Sequence, residues 1–157
     1  MARKTAKHIV KDENRDSGKV FIITEMSASQ GEAWATRALL ALMNANVDLP
    51  EGFENFGMAA LVEMGMKALS ALRYDVLEPL LEEMMGCVQY MPDPKNTHVL
   101  RPLIESDIEE VLTRFQLRKE WWTLHMGFLQ AVAPSILEQN REAAAGGKVQ
   151  RIKTSRR

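Results

Sequence analysis

Histidine and cysteine, the side chains that most often bind metals or act as nucleophiles, are few and widely separated in this sequence. The three histidines are His8, His98 and His125, and the one cysteine is Cys87. No two of them stand at the spacing of a few residues that metal ligands on one loop or helix require. A single cysteine cannot form an internal disulfide, which favours a reducing compartment. The pattern predicts neither a metal site nor a nucleophilic active site.

Paired acids and a glycine pair are the remaining candidates for chemistry, and neither has the right context. Glu82-Glu83 and Glu109-Glu110 are adjacent pairs. Neighbouring positions on a helix point about 100° apart, so the two carboxylates of a pair do not converge on one substrate atom. Gly146-Gly147-Lys148 lacks the preceding strand and following helix of a phosphate-binding loop. We therefore expect a protein that is not an enzyme and uses no cofactor.

The composition is that of one folded domain. The chain has 157 residues, of which 46% are hydrophobic and 26% are charged, enough apolar surface for one core. Ten methionines and only nine glycines and six prolines favour helices. The N-terminus has no apolar stretch typical of a signal peptide, and no window reaches the roughly 18 apolar residues of a membrane helix. We expect a cytoplasmic protein with no membrane partner.

Charge divides the chain into three parts. The net charge of −1 combines +3 over residues 1–19, +5 over residues 141–157 and −9 between them. The basic ends are either solvated tails or contacts for an acidic partner or nucleic acid. We predict a basic flexible arm over 1–18, a helical domain over 19–138 and a basic flexible tail over 139–157.

Hydrophobic spacing predicts a mainly α fold, a small domain of about four helices. The run Lys19–Thr24 is rich in β-branched and aromatic residues and predicts a strand, with a second strand beside it near 98–101. A capping box of Ser29 and Glu32 predicts the start of the first helix. Helices are predicted over about 30–45, 56–72, 75–91 and 106–133.

The last predicted helix carries two apolar stripes. At about 100° per residue, one stripe has the spacing of a core face: Ile108, Val111, Leu112, Phe115, Trp122, Met126 and Leu129. The second lies nearly opposite and comprises Leu117, Trp121, Leu124 and Phe128. Either the first helix, which carries Trp34, packs on this second stripe, or the stripe binds a partner or a second copy of the chain.

Methionines form a second candidate surface. Six of the ten lie in the two middle helices: Met58, Met64, Met66, Met84, Met85 and Met91. Methionine is a common core residue, but its flexible side chain also suits a surface that binds varied apolar helices. We take Met64, Met84 and Met85 as candidate partner-binding residues.

Several runs of this sequence resemble those of tail assembly chaperones from long-tailed bacteriophages. The resemblance covers about residues 19–130 and rests on the order and spacing of non-catalytic motifs. These are Ile22–Met26, Glu32–Leu42, Leu77–Leu81, Cys87–Gln89, Arg101–Ile104, Asp107–Val111 and Leu117–Phe128.

The resemblance implies a non-enzymatic protein that binds the tape measure protein, keeps it soluble and helps recruit tail tube subunits. Such a protein acts in the host cytoplasm and is absent from the finished virion. The resemblance also implies a longer product made by ribosomal frameshifting, through which the tube protein is bound. Gly146-Gly147-Lys148 can be encoded by a slippery run of G and A.

Two other functions stay open. One is a structural tail or connector subunit, which would remain in finished particles. The other is a small nucleic-acid-binding regulator, for which the acidic middle of the chain is unfavourable. The last helix has only Arg114, Arg118 and Lys119 against four acids from Asp107 to Glu120, whereas a recognition helix needs cations near phosphates.

Overall fold

The computed structural model describes residues 2–46 and 66–126. The prediction of a helix over 56–72 lies mostly outside these ranges, as do Met64 and Phe128. Within the described ranges the protein is mainly helical with a small antiparallel sheet, so the predicted fold class is confirmed.

The sheet has four strands in the order β1-β2-β3-β4, and every neighbouring pair is antiparallel. Their bounds are β1 Thr5–Ile9, β2 Val20–Thr24, β3 Val88–Met91 and β4 Arg101–Pro102. Strand β2 lies in the interior of the sheet, where Phe21 and Ile23 are fully buried. Its β-branched and aromatic residues suit a strand with neighbours on both sides, and the strand predicted here is confirmed.

Three predictions about the sheet are wrong. Residues 5–9 lie in the predicted flexible arm but pair with β2 along their whole length. The helix predicted to continue to residue 91 ends at Met85, because Gly86 follows and Val88–Met91 pairs with β2 instead. Strand β4 therefore pairs with β3 and does not lie beside β2.

Helix α1 spans Ala28–Asn44, and its N-cap lies two residues before the predicted one. Ser27, not Ser29, is the N-cap, and it forms a capping box with Gln30. The helix buries Trp34, Ala35, Ala38 and Leu42 along one face. Asn46 follows its end with a φ of 51°, in the left-handed region that asparagine tolerates better than most residues.

Three further helical segments follow. Helix α2 spans Met66–Leu69 and helix α3 spans Tyr74–Met85. Helix α4 covers residues 111–126 and is preceded by a short 3-10 turn at Glu105–Asp107. The start predicted at Ser106 is therefore wrong, because the backbone is extended at Ile108 between the 3-10 turn and α4.

The core lies where α1, α3 and α4 meet the inner face of the sheet. The ring centroid of Trp34 lies 4.8 Å from that of Trp121 and 6.1 Å from that of Trp122. The indole N–H of Trp34 donates to the carbonyl oxygen of Leu80 at 3.1 Å. Because its polar atom is satisfied and its ring packs between helices, Trp34 fixes α1 against both α3 and α4.

Candidate partner-binding surfaces

The predicted partner-binding residues that the structure describes belong mostly to the core. Leu117 and Trp121 are at most 1% exposed, Met84 is fully buried and Met85 is 5% exposed. The prediction of a binding surface at these four positions is therefore wrong. Helix α1 covers the second stripe of α4 through Trp34, which is the alternative that the sequence left open.

Leu124 is half-buried and lies in a cleft between the start of α1 and the end of the described part of α4. The cleft has a volume of about 350 Å³, and its apolar wall is formed by Met26, Trp34, Trp121, Leu124 and Met126. Of the predicted stripe, the structure thus brings Trp121 and Leu124 together on one wall. Lys4, Glu25 and Glu32 supply charge at its edges.

His125 joins α4 to the start of α1 at this cleft. Its Nε2 accepts a hydrogen bond of 2.8 Å from the backbone N–H of Met26, and its Nδ1 lies 2.8 Å from the carbonyl oxygen of Trp121. An accepting Nε2 carries no proton, so Nδ1–H is the donor and the imidazole is neutral. Burial lowers the pKa of His125, although the Trp121 carbonyl and the Glu25 charge act in the opposite direction. Protonation would break the bond to Met26.

The start of α4 is held by a carboxylate from the loop between β1 and β2. Asp16 is fully buried, and its oxygens accept from the backbone N–H groups of Glu109 at 3.0 Å and Glu110 at 2.9 Å. Lys19 donates to the same carboxylate at 2.7 Å. Burial alone would raise the pKa of Asp16, but the bonds from Lys19 and the Glu109 amide outweigh it and lower the pKa to about 2. The predicted arm therefore fixes the position of α4.

The first turns of α4 expose three large apolar side chains. Val111 is 66% exposed, Leu112 is 49% exposed and Phe115 is 56% exposed. We call these three residues the α4 patch. They belong to the stripe predicted to face the core, and for them that prediction is wrong, whereas Trp122 and Met126 farther along the stripe are buried. The apolar spacing was visible in the sequence, but nothing in it indicated which half of the stripe would be covered.

Charged residues and a groove adjoin the α4 patch. The guanidinium of Arg118 lies 5.9 Å from the ring centroid of Phe115, and Arg114 forms a 3.1 Å ion pair with Glu82 of α3. On the other side of Arg114 is a groove of about 290 Å³ between α3, β4 and the start of α4. Its apolar lining comprises Met85, Val88, Pro102, Leu103, Ile104 and Ile108.

The described residues also bear on metal binding and membrane crossing. In the ranges 2–46 and 66–126, no three histidine, cysteine or acidic side chains are grouped so that they could hold a metal ion. None of the helices in those ranges combines the length and the apolar character needed to cross a bilayer. The α4 patch with its groove and the cleft beside His125 are candidate recognition surfaces among the described residues.

Comparison with known proteins adds no relative from which a role for these surfaces could be transferred. The α4 patch, the groove and the cleft must be interpreted from their own chemistry. No protein-family model, curated protein or solved structure matches this chain.

Proposed function

We propose that the protein is a bacteriophage tail assembly chaperone that binds the tape measure protein, keeps it soluble and helps recruit tail tube subunits. The proposal comes from the resemblance of residues 19–130 to such chaperones. A chaperone of this kind needs an apolar surface open to solvent in its free form. It needs no catalytic group.

The α4 patch is the observation that carries the proposal. Its three side chains are between 49% and 66% exposed although they lie on the stripe of α4 whose later members, Trp122 and Met126, are buried. Apolar side chains clustered on one face of a soluble protein commonly mark a protein interaction site. A largely helical partner such as the tape measure protein could lay the apolar face of a helix against them.

The basic N-terminus supports this proposal over a nucleic-acid-binding regulator. Lys19 bonds to the buried Asp16 at 2.7 Å, and Arg15 bonds to Glu110 at 2.7 Å. Two of the six Lys and Arg side chains of residues 1–19 are therefore already paired with carboxylates of the same chain. A protein that binds nucleic acid by electrostatics needs cations that are free to contact phosphates.

Co-expression with the tape measure protein encoded by the same genome tests the proposal. We expect the tape measure protein to become soluble and to copurify with the wild-type chain. The double variant Leu112→Ser/Phe115→Ser should lose this capture while keeping its helical circular dichroism. Leu40→Ser is the matched control, because Leu40 is also an exposed leucine, at 52%, but lies on α1.

Two results would contradict the proposal. The tape measure protein could stay insoluble whether or not the chain is present. Alternatively, the chain could be found at fixed stoichiometry in finished particles, which would identify a structural tail or connector subunit instead.

The gene itself tests the longer product. If Gly146-Gly147-Lys148 is encoded by GGG GGA AAA or GGG GGA AAG and the −1 frame stays open beyond it, a second, longer protein is expected in infected cells. Other glycine codons, or an early stop in the −1 frame, would rule out slippage there while leaving the chaperone proposal intact.

A further inference from the structure

The charges around the α4 patch allow its partner to be specified further. We propose that the α4 patch binds an amphipathic helix of another protein whose apolar stripe is flanked by acidic side chains. This inference rests on the proposed function for the idea that a helical chain is the partner. The acidic flanks of that partner are inferred from the charges beside the α4 patch.

The shape of the surface suits a helix. Val111, Leu112 and Phe115 span about 100° of the α4 surface over little more than one turn, which matches the apolar stripe of an amphipathic helix. The adjoining groove of about 290 Å³ is bordered by Ile104, which is 57% exposed. A large apolar side chain at the next turn of the partner could enter this groove as an anchor.

Three acidic residues beside the surface are already paired, and Glu105 at the groove is exposed. Glu82 bonds to Arg114 at 3.1 Å. Arg15 bonds to Glu110 at 2.7 Å and lies 4.0 Å from a carboxylate oxygen of Glu109. These three carboxylates therefore contribute little net negative charge to an approaching partner.

Two cations that follow Phe115 in α4, Arg118 and Lys119, take no part in these ion pairs. At about 100° per residue, Arg118 and Lys119 lie one turn after Phe115 and on opposite sides of it. Arg118 lies beside the Phe115 ring, and its Nε is buried and has no hydrogen-bond partner in the part of the chain that the structure describes. Lys119 is exposed. A guanidinium and an ammonium group are both best paired by carboxylates, so the flanks of the partner should be acidic.

The same charges argue against a second copy as the occupant. In a two-fold symmetric contact both subunits present the same surface. With the two α4 helices parallel, Arg118 and Lys119 of one copy would face those of the other, and with the helices antiparallel they would face Glu109 and Glu110, which already hold Arg15. Like charges that face each other across an interface oppose association.

Two synthetic peptides test the inference on the full-length protein. Both have about 18 residues and the same leucine and phenylalanine stripe, but one is flanked by glutamate and the other by lysine. We expect fluorescence polarisation to show about tenfold tighter binding of the glutamate-flanked peptide at low salt. Phe115→Ser should weaken the binding of both peptides, and Leu40→Ser should leave it unchanged.

Reversing the charges of Lys119 and Arg118 gives a second test of the preference for acidic flanks. Lys119→Glu should remove much of the preference for the glutamate-flanked peptide, and the addition of Arg118→Glu should reverse it. The single Lys119 variant is informative by itself, because its exposed side chain is not needed for folding.

Three results would overturn the inference. They are equal or tighter binding of the lysine-flanked peptide, binding of neither peptide, and a concentration-dependent dimer in sedimentation that Phe115→Ser abolishes. Since the peptides contain no tape measure sequence, this test is separate from the co-expression test. Capture of the tape measure protein that survives Phe115→Ser would leave the chaperone proposal standing and place its surface elsewhere.

Discussion

One apolar stripe of α4 lies in opposite environments at its two ends. In the second half, Trp122 of this stripe and the adjacent Trp121 are at most 6% exposed and pack around Trp34. In the first half, Leu112 and Phe115 are about half exposed. An apolar side chain in this helix is thus either core or surface according to what lies opposite it.

The covering elements come from distant parts of the sequence. Helix α1 brings Trp34 to the second half of α4, and the loop after β1 brings Asp16 to its first residues. Asp16 holds the start of α4 through its backbone and leaves the outward apolar face of that turn uncovered. Successive turns of one helix thus contribute to the core and expose an apolar surface.

The largest expected effect comes from putting the same charge into each half. Trp121→Glu should abolish cooperative folding, because it removes a buried indole worth about 3 to 5 kcal/mol and leaves an unpaired buried charge. Phe115→Glu should change the free energy of unfolding by less than about 1 kcal/mol, since the side chain is exposed. Urea denaturation measures both, and equal losses would show that the two halves do not differ.

A smaller loss of stability is expected from a substitution of Asp16, which accepts hydrogen bonds at the start of α4. Asp16→Asn should lower the free energy of unfolding by about 1 to 2 kcal/mol at pH 7, because the neutral amide binds Lys19 and the helix N–H groups less strongly. The pKa of Asp16 is lowered from 3.8 to about 2 in the folded protein. Its contribution is therefore complete above about pH 4 and is lost as the pH falls through about 2.

Urea denaturation of the wild type and of Asp16→Asn between pH 5 and pH 2 checks that the contribution of Asp16 is lost as the pH falls. The stability difference between wild type and Asp16→Asn should shrink as the pH falls. A difference that stays constant to pH 2 would mean that the charge of Asp16 is not what stabilises the start of α4.

The smallest loss of stability is expected from a substitution of His125, in the last described turn of α4. Because the folded protein holds His125 neutral with its pKa lowered below 6.5, its contribution is complete above pH 6.5 and is lost as the pH falls below that value. The loss cannot exceed about 1.4 kcal/mol per pH unit for one group. His125→Gln should flatten the stability profile between pH 7 and pH 5. A variant with the wild-type slope would assign that slope to other groups.

Local patterns in the sequence predicted much of the fold. The β-branched run at β2 and the apolar spacing of α1 gave both elements within about two residues of their observed bounds. The sequence of β1, Thr5–Ile9, has one β-branched residue at each end and alanine, lysine and histidine between, so its strand depends on pairing with β2. Strand β3 was missed because its Val88 and Met91 also fit the helical stripe that precedes them.

The residues of the candidate site were predicted less well, because their exposure depends on contacts with distant parts of the chain. Helical spacing identifies a stripe such as Val111, Phe115 and Trp122, but burial depends on long-range contacts that the spacing does not encode. The bond from Asp16 to the amides of Glu109 and Glu110 spans more than 90 positions of sequence. Such a contact leaves no periodic signal.

Thiol labelling at two adjacent positions tests the contrast within α4 most directly. In a Cys87→Ser background, Leu112→Cys and Thr113→Cys place a thiol at a site that is 49% exposed and at one that is fully buried. We expect a thiol at 112 to react in the native protein nearly as fast as in urea, and a thiol at 113 to react only through unfolding. Equal and slow labelling at both positions would contradict it, since the α4 patch would then be covered.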